Sequence, residues 1–134
     1  MELEINHTIN DYVSDSWNYT YLDNRGIPVG FDHLVQLPFS PRHTVNYLLT
    51  VKPATRWKID STARYEDDRY SGNDQTGTKM GSQIVWGMRL SYQLRQLEAF
   101  LGVDDITNMR YEEQPGLPLP GRTVYFGIHL KLWD

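Results

Sequence analysis

The chain has no cysteine among its 134 residues, so it is not a disulfide-stapled scaffold and has no Cys-x-x-Cys metal motif. It has no excess of positive charge. Lys and Arg number 13 against 17 Asp and Glu, the net charge is −4, and no basic run occurs, which argues against a nucleic-acid partner. No apolar stretch approaches the ~18 residues a spanning helix needs. Met1 leads at once into Glu2-Leu3-Glu4-Ile5, so no secretory signal peptide is expected there. Disorder is excluded by the opposite kind of evidence: aromatics reach 13% and charged residues only 22%. The length suits one domain with a modest core. None of this establishes solubility, because a membrane β-barrel hides its apolar surface in alternation.

What is present is period-2 patterning, repeated seven times. In the clearest run Ile84, Trp86, Met88, Leu90, Tyr92 and Leu94 alternate with Val85, Gly87, Arg89, Ser91 and Gln93. Val124, Phe126, Ile128, Leu130 and Leu132 alternate in the same way with Tyr125, Gly127, His129 and Lys131. Strands are predicted at 97–104, 44–51, 57–65 and 16–21, and at the start around Leu3, Ile5 and Ile9. Trp17, Tyr19 and Tyr21 share one face of their strand, and Trp57, Ile59, Ser61, Ala63 and Tyr65 share one face of theirs.

The connections alternate too. Asn10-Asp11, then Lys52-Pro53-Ala54-Thr55, then Arg95-Gln96 read as tight hairpins. Between the hairpins lie long loops, about Asp23 to Arg42, Glu66 to Gln83 and Asp105 to Arg122. Tight turns at one end and long loops at the other are the pattern of outer-membrane barrels. Most predicted strands are long, as a tilted membrane strand of ~9–11 residues requires, whereas soluble strands average ~5–6. Aromatics cluster near strand ends on the apolar face. Trp57 and Tyr65 bracket one strand, Trp86 and Tyr92 most of the next, as two membrane-interface girdles would. The expected fold is therefore all-β, an antiparallel transmembrane barrel segment. The competing reading is a small soluble β-barrel binding protein with its apolar face turned inward.

Catalytic chemistry finds no motif. His7, His33, His43 and His129 are scattered without metal-ligand spacing, and GxSxG, P-loop and GxGxxG are absent. An acid/base set of Asp67 and Asp68 with His33 or His43 has no supporting pattern. No enzyme, cofactor or metal is expected. Asn6-His7-Thr8 and Asn18-Tyr19-Thr20 match a glycosylation sequon, but both fall inside strands.

Four stretches carry a family resemblance. They are Tyr19-Thr20-Tyr21-Leu22-Asp23, Leu37-Pro38-Phe39-Ser40-Pro41-Arg42-His43, Leu101-Gly102-Val103-Asp104-Asp105-Ile106-Thr107-Asn108 with Tyr111, and Pro118-Leu119-Pro120-Gly121-Arg122-Thr123 leading into the last strand. In order and spacing the chain resembles the C-terminal barrel portion of a TonB-dependent outer-membrane receptor over nearly its whole length. It departs from the family where Asp104-Asp105-Ile106-Thr107-Asn108 replaces Glu-Asn-Leu-Phe-Asp. It departs again where Leu132 stands at the usual terminal aromatic, with Trp133-Asp134 beyond it.

The resemblance implies an outer-membrane location in a Gram-negative bacterium, short turns in the periplasm and long loops outside. It implies TonB-dependent uptake of a ferric siderophore, haem or cobalamin-like substrate. Seven strands and no plug make an open sheet, so the chain is expected to be a fragment, half of a split receptor or an oligomer. Its expected partners are outer-membrane lipid and the remaining strands and plug, on another chain or a missing segment, with TonB met only indirectly. A wall subunit without transport is a further alternative.

The polar face would then line the lumen. Lys58, Asp60, Arg64, Arg89, Glu98, Asp104, His129 and Lys131 would form an ion-pair network there. Arg64 and Arg89 stand out as candidates near the outer rim for holding an anionic ferric chelate. Trp17, Tyr19, Tyr21, Trp57, Tyr65, Trp86, Tyr92 and Trp133 are the expected membrane-interface aromatics. The loop residues Asp67, Asp68, Tyr70, Asn73, Asp74 and Gln75 are expected to be a solvated tip, with ligand contact as the alternative.

Overall fold

The structure is a computed structural model that describes residues 1–110, 112–114 and 116–130. Seven long strands dominate it: β1 Glu2–Asn10, β2 Val13–Tyr21, β3 His43–Ala54, β4 Trp57–Glu66, β5 Gln83–Leu94, β6 Leu97–Asp104 and β7 Thr123–Leu130. They pair antiparallel in strict chain order. Each of the three long loops carries a short ribbon of its own. Arg25–Gly26 pairs with Val35–Gln36, Arg69–Tyr70 with Lys79–Met80, and Glu112–Gln114 with Leu117–Pro118.

The register joins the apolar positions into one continuous face. Ile59, Leu90, Leu101 and Phe126 lie in a single cross-strand row, and Thr50, Asp60, Arg89, Gly102 and Tyr125 form a row on the opposite face. Exposure runs opposite to that of a soluble sheet. On the apolar face Phe126 is 85% exposed and Leu101 51%, whereas on the polar face Ser91 is 3% exposed. Among the described residues Val35, in a loop, is the buried hydrophobic one, while Gln36, Glu66, Arg69, Gln83, Ser91 and Asp105 are buried polar ones. The sheet curls around its polar side and presents its apolar side outward. That geometry suits a hydrocarbon solvent, in which apolar surface needs no cover. It is the reverse of what the soluble-barrel reading requires.

Two expectations shift in detail. The first turn is Asp11-Tyr12, not Asn10-Asp11, because the Asn10 Oδ1 accepts the Tyr12 and Val13 N–H groups (2.8 and 2.9 Å) and holds Asn10 in β1. β2 accordingly begins at Val13 and extends the alternating run read at 16–21 back to the turn. Lys52-Pro53-Ala54 belong to β3, with Pro53 inside the irregularity between Val51 and Ala54. A bulge tolerates a residue that lacks an N–H. On the polar face two glycines, Gly102 toward the loop end and Gly127 at mid-strand, admit aromatic rings. A Cβ on Gly102 would overlap the Tyr125 ring, and one on Gly127 would lie 2.5 Å from Phe100. Lys131, Leu132, Trp133 and Asp134, and Tyr111, lie outside the described residues.

β1 pairs only with β2 and β7 only with β6 among the described residues, so the sheet does not close on itself. Unpaired strand edges in hydrocarbon cost several kcal/mol for each orphaned group. Both edges therefore require further strands in a membrane.

Candidate functional site

The aromatics of the outer face fall at two levels. Trp57, first after the turn, packs on Tyr92 with centroids 4.8 Å apart and marks the tight-turn end. Tyr19, Tyr21, Tyr65 and Trp86 stand toward the loop end of their strands. Two of them bond locally: the Tyr19 hydroxyl bonds His43 Nδ1 (2.8 Å), and the Trp86 indole donates to Ser61 (2.7 Å). Trp17 sits lower, on Tyr47, and donates to Asp15 (2.8 Å).

The inner face divides into two charged groups. Toward the tight turns, the Lys58 ammonium lies 2.9 Å from Asp60, which also accepts from Thr50 (2.8 Å). Arg89 donates to Glu98 (2.8 Å) and lies over Phe100, 4.0 Å from its centroid. Since Glu98 is the second residue of β6, the Arg89 side chain points to the tight-turn end. That is a correction to its expected position near the outer rim. The polar residues Ser91 and Glu98 and the Phe100 ring lie on that side and draw the guanidinium down. His129 is exposed and opposite Glu98 in register.

The second group lies at the loop end and was only partly read from sequence. Arg64 donates through Nε to Glu66 (2.9 Å) and through Nη2 to the same oxygen. The other oxygen of Glu66 accepts from Gln83 Nε2 (2.6 Å) and lies 3.7 Å from Arg69 Nη1. Arg69, 5% exposed, also donates to Gln83 Oε1 (3.1 Å) and to the Glu112 carbonyl (3.2 Å). One carboxylate thus serves two guanidiniums, so this trio alone carries one net positive charge, with Asp104 and Asp105 as further carboxylates on the adjoining cleft. The group borders a cleft of about 530 Å³ whose walls include Arg64, Arg69, Asp104, Asp105 and Leu119. Arg69 was missed because it follows a predicted strand end. The available signal was Arg64-x-Glu66, same-face charges of opposite sign, with another Arg three residues on.

The resemblance motifs turn out to latch the loop bases. Leu22 N–H donates to the Arg42 carbonyl (2.9 Å), and Leu37 N–H to the Asn24 carbonyl (2.8 Å). Asp105, left-handed at φ 50, accepts from Thr107 and from the Met109 N–H (2.9 and 3.1 Å). Asn108 accepts the Arg122 N–H (3.0 Å), and the Arg122 guanidinium donates to the Ile106 carbonyl (2.7 Å).

The middle loop is not simply a solvated tip, since Asp74 accepts the Gln36 N–H at 2.8 Å. Asp68 accepts from Ser82 N–H (2.8 Å) and lies 2.6 Å from the Lys79 ammonium. The hydrogen bond from Lys79 is the main cause that holds the Asp68 carboxyl below its ordinary 3.8. A depressed carboxylate stabilises the fold fully above its unfolded pKa and loses that contribution as pH falls through the folded value. Protection of the Ser82 amide, corrected for its intrinsic rate, is therefore expected to fall as pH drops below 3.8. In Asp68→Asn that pH dependence should vanish. His33 pairs with Asp32 (2.8 Å) and His43 stacks on Tyr19, so neither joins Asp67 or Asp68 in an acid/base set. Among the described residues no three His, Asp or Glu side chains converge as a metal site.

Comparison with known proteins gives the same architecture. The chain aligns with the siderophore receptor PiuA of Acinetobacter baumannii at 19% identity and a TM-score of 0.75, covering 96% of this chain and 21% of that one. The ferric enterobactin receptor PfeA matches at 19% and 0.77, covering 96% and 22%. The copper transporter OprC matches at 20% and 0.71, again covering 96% and 22%. The chain thus spans about a fifth of the length of these structures. No curated protein sequence matches it. The family model for the TonB dependent receptor-like β-barrel matches residues 1–106. That family consists of outer-membrane transport receptors of Gram-negative bacteria, not enzymes. With a matching seven-strand sheet and a family model across most of its length, the chain belongs to the TonB-dependent receptor β-barrel family.

Proposed function

We propose that this chain is part of the wall of a TonB-dependent transporter that takes up an anionic ferric chelate. Its outer face meets outer-membrane lipid, and its polar face lines the lumen. The sheet edges at β1 and β7 join the remaining barrel strands, supplied with the plug by another chain or by a further segment. The chain meets TonB only through that plug. The observation that carries this reading is the inverted exposure: apolar residues face out and a buried charged network faces in. The soluble-barrel alternative needs the opposite arrangement. A wall subunit without transport differs only in lacking a substrate.

The choice of an anionic substrate rests on the loop-end group. Arg64 and Arg69 share Glu66, and the Arg64 side chain remains 60% exposed beside the cleft. A guanidinium presented in this way suits a chelate with several oxyanion groups. The siderophore receptors among the similar structures agree with iron, while the copper transporter shows that one fold serves more than one metal. In the assembled receptor, Arg64→Gln is expected to weaken binding of a ferric tricatecholate by about tenfold, the loss of one charge-assisted contact. Cobalamin binding should not change. Equal loss for both ligands, or for neither, contradicts the anionic-chelate reading. Lys58, Asp60, Arg89 and His129 lie toward the tight turns, and we assign them to contacts with the plug.

A further inference from the structure

We propose that the middle loop, residues 66–83, is a keystone that joins all three long loops into one cap over the loop end of the polar face. Every hydrogen bond between different long loops among the described residues has one end in this segment. Toward the first loop, Asp74 accepts the Gln36 N–H (2.8 Å), and the Tyr70 carbonyl accepts the Phe39 N–H (2.9 Å). Toward the third loop, Arg69 donates to the Glu112 carbonyl (3.2 Å). Among the described residues the first and third loops share no such bond.

Burial marks the same joints. Val35 is 1% exposed, Gln36 8% and Arg69 5%, so the most water-excluded side chains of the molecule include those where loops meet. Both sides of the first joint hold a non-glycine residue in the left-handed region, Phe39 at φ 60 and Asp74 at φ 51. Such residues cost conformational energy and persist only where surrounding contacts fix them. Arg69 has the matching role at the second joint. Its side chain is anchored by Glu66 and Gln83, which end β4 and begin β5, so the third loop is tied to the barrel wall through the middle loop. The cap is thus two joints around one hub, and each joint is separable.

The test is hydrogen–deuterium exchange on the assembled receptor in detergent, followed by peptide mass. Asp74→Ala is expected to speed exchange about tenfold or more in residues 33–40 and to leave 105–122 unchanged. Arg69→Gln is expected to do the reverse, and the double variant to open both loops while β3 to β6 stay protected. The keystone account fails if Asp74→Ala opens neither loop or opens both equally. It also fails if Arg69→Gln leaves 105–122 unchanged while the strands stay protected. Should Arg69→Gln loosen the strands themselves, the milder Asp74→Ala decides alone by the same criterion.

Discussion

Arginine in place of Leu101 is expected to destabilise the assembled barrel by about 2–4 kcal/mol, the cost of a cation on the lipid face near the bilayer midplane. Leu101 is 51% exposed and lies between Leu90 and Phe126 in the apolar row, away from both aromatic levels. In a water-soluble protein, a charge at a half-exposed position would change stability by only ~0.5 kcal/mol. Ser16→Lys on the polar face is the control, because its side chain faces the lumen cleft. It should shift stability by no more than ~0.5 kcal/mol. Urea unfolding of the receptor in lipid vesicles measures both. A small effect at Leu101 would mean that its face meets water or protein.

The second large effect is expected at Glu66. Its carboxylate stands between Arg64 and the buried Arg69, and its removal leaves the Arg69 guanidinium without its charge partner. Breaking a buried pair from one side costs about 3–5 kcal/mol, because the remaining charge stays desolvated. Glu66→Ala is accordingly expected to destabilise by about 3 kcal/mol, the lower end, since Gln83 and the Glu112 carbonyl still serve Arg69. Removing Glu98, the partner of Arg89, should cost no more than ~1 kcal/mol, because that pair is solvent-accessible and therefore screened. The same urea titration ranks the two. Equal costs would contradict the contrast in burial.

The strands were legible because period 2 is a strong signal wherever one face is apolar throughout, as from Ile84 to Leu94. The direction of the apolar face was legible only from supporting signs: strand length, loop asymmetry and the placement of Trp57, Tyr65, Trp86 and Tyr92. Turn positions slipped where a side chain decides, as with Asn10, whose Oδ1 captures two backbone donors. The candidate site was read by half. Arg64 and Arg89 both lie on the polar face, as alternation predicts, but alternation does not say which way along the strand a long side chain leans. Arg89 leans toward Glu98, four residues along β6 from its register partner Gly102. The contacts of Arg69 and Asp74 depend on loops meeting one another. Those pairings span distant sequence positions and leave no periodic trace.

The central claim is that the apolar face meets lipid, and the absence of cysteine makes it directly accessible to single-site labelling. Spin labels at Met88→Cys, Arg89→Cys, Leu90→Cys and Ser91→Cys in the assembled receptor report contact with apolar oxygen or with a water-soluble nickel complex. The account predicts strict alternation, with labels at 88 and 90 exposed to oxygen and those at 89 and 91 shielded from it. Labels at 88 and 90 shielded from both reagents would place that face in a closed apolar interior and contradict the membrane-wall reading.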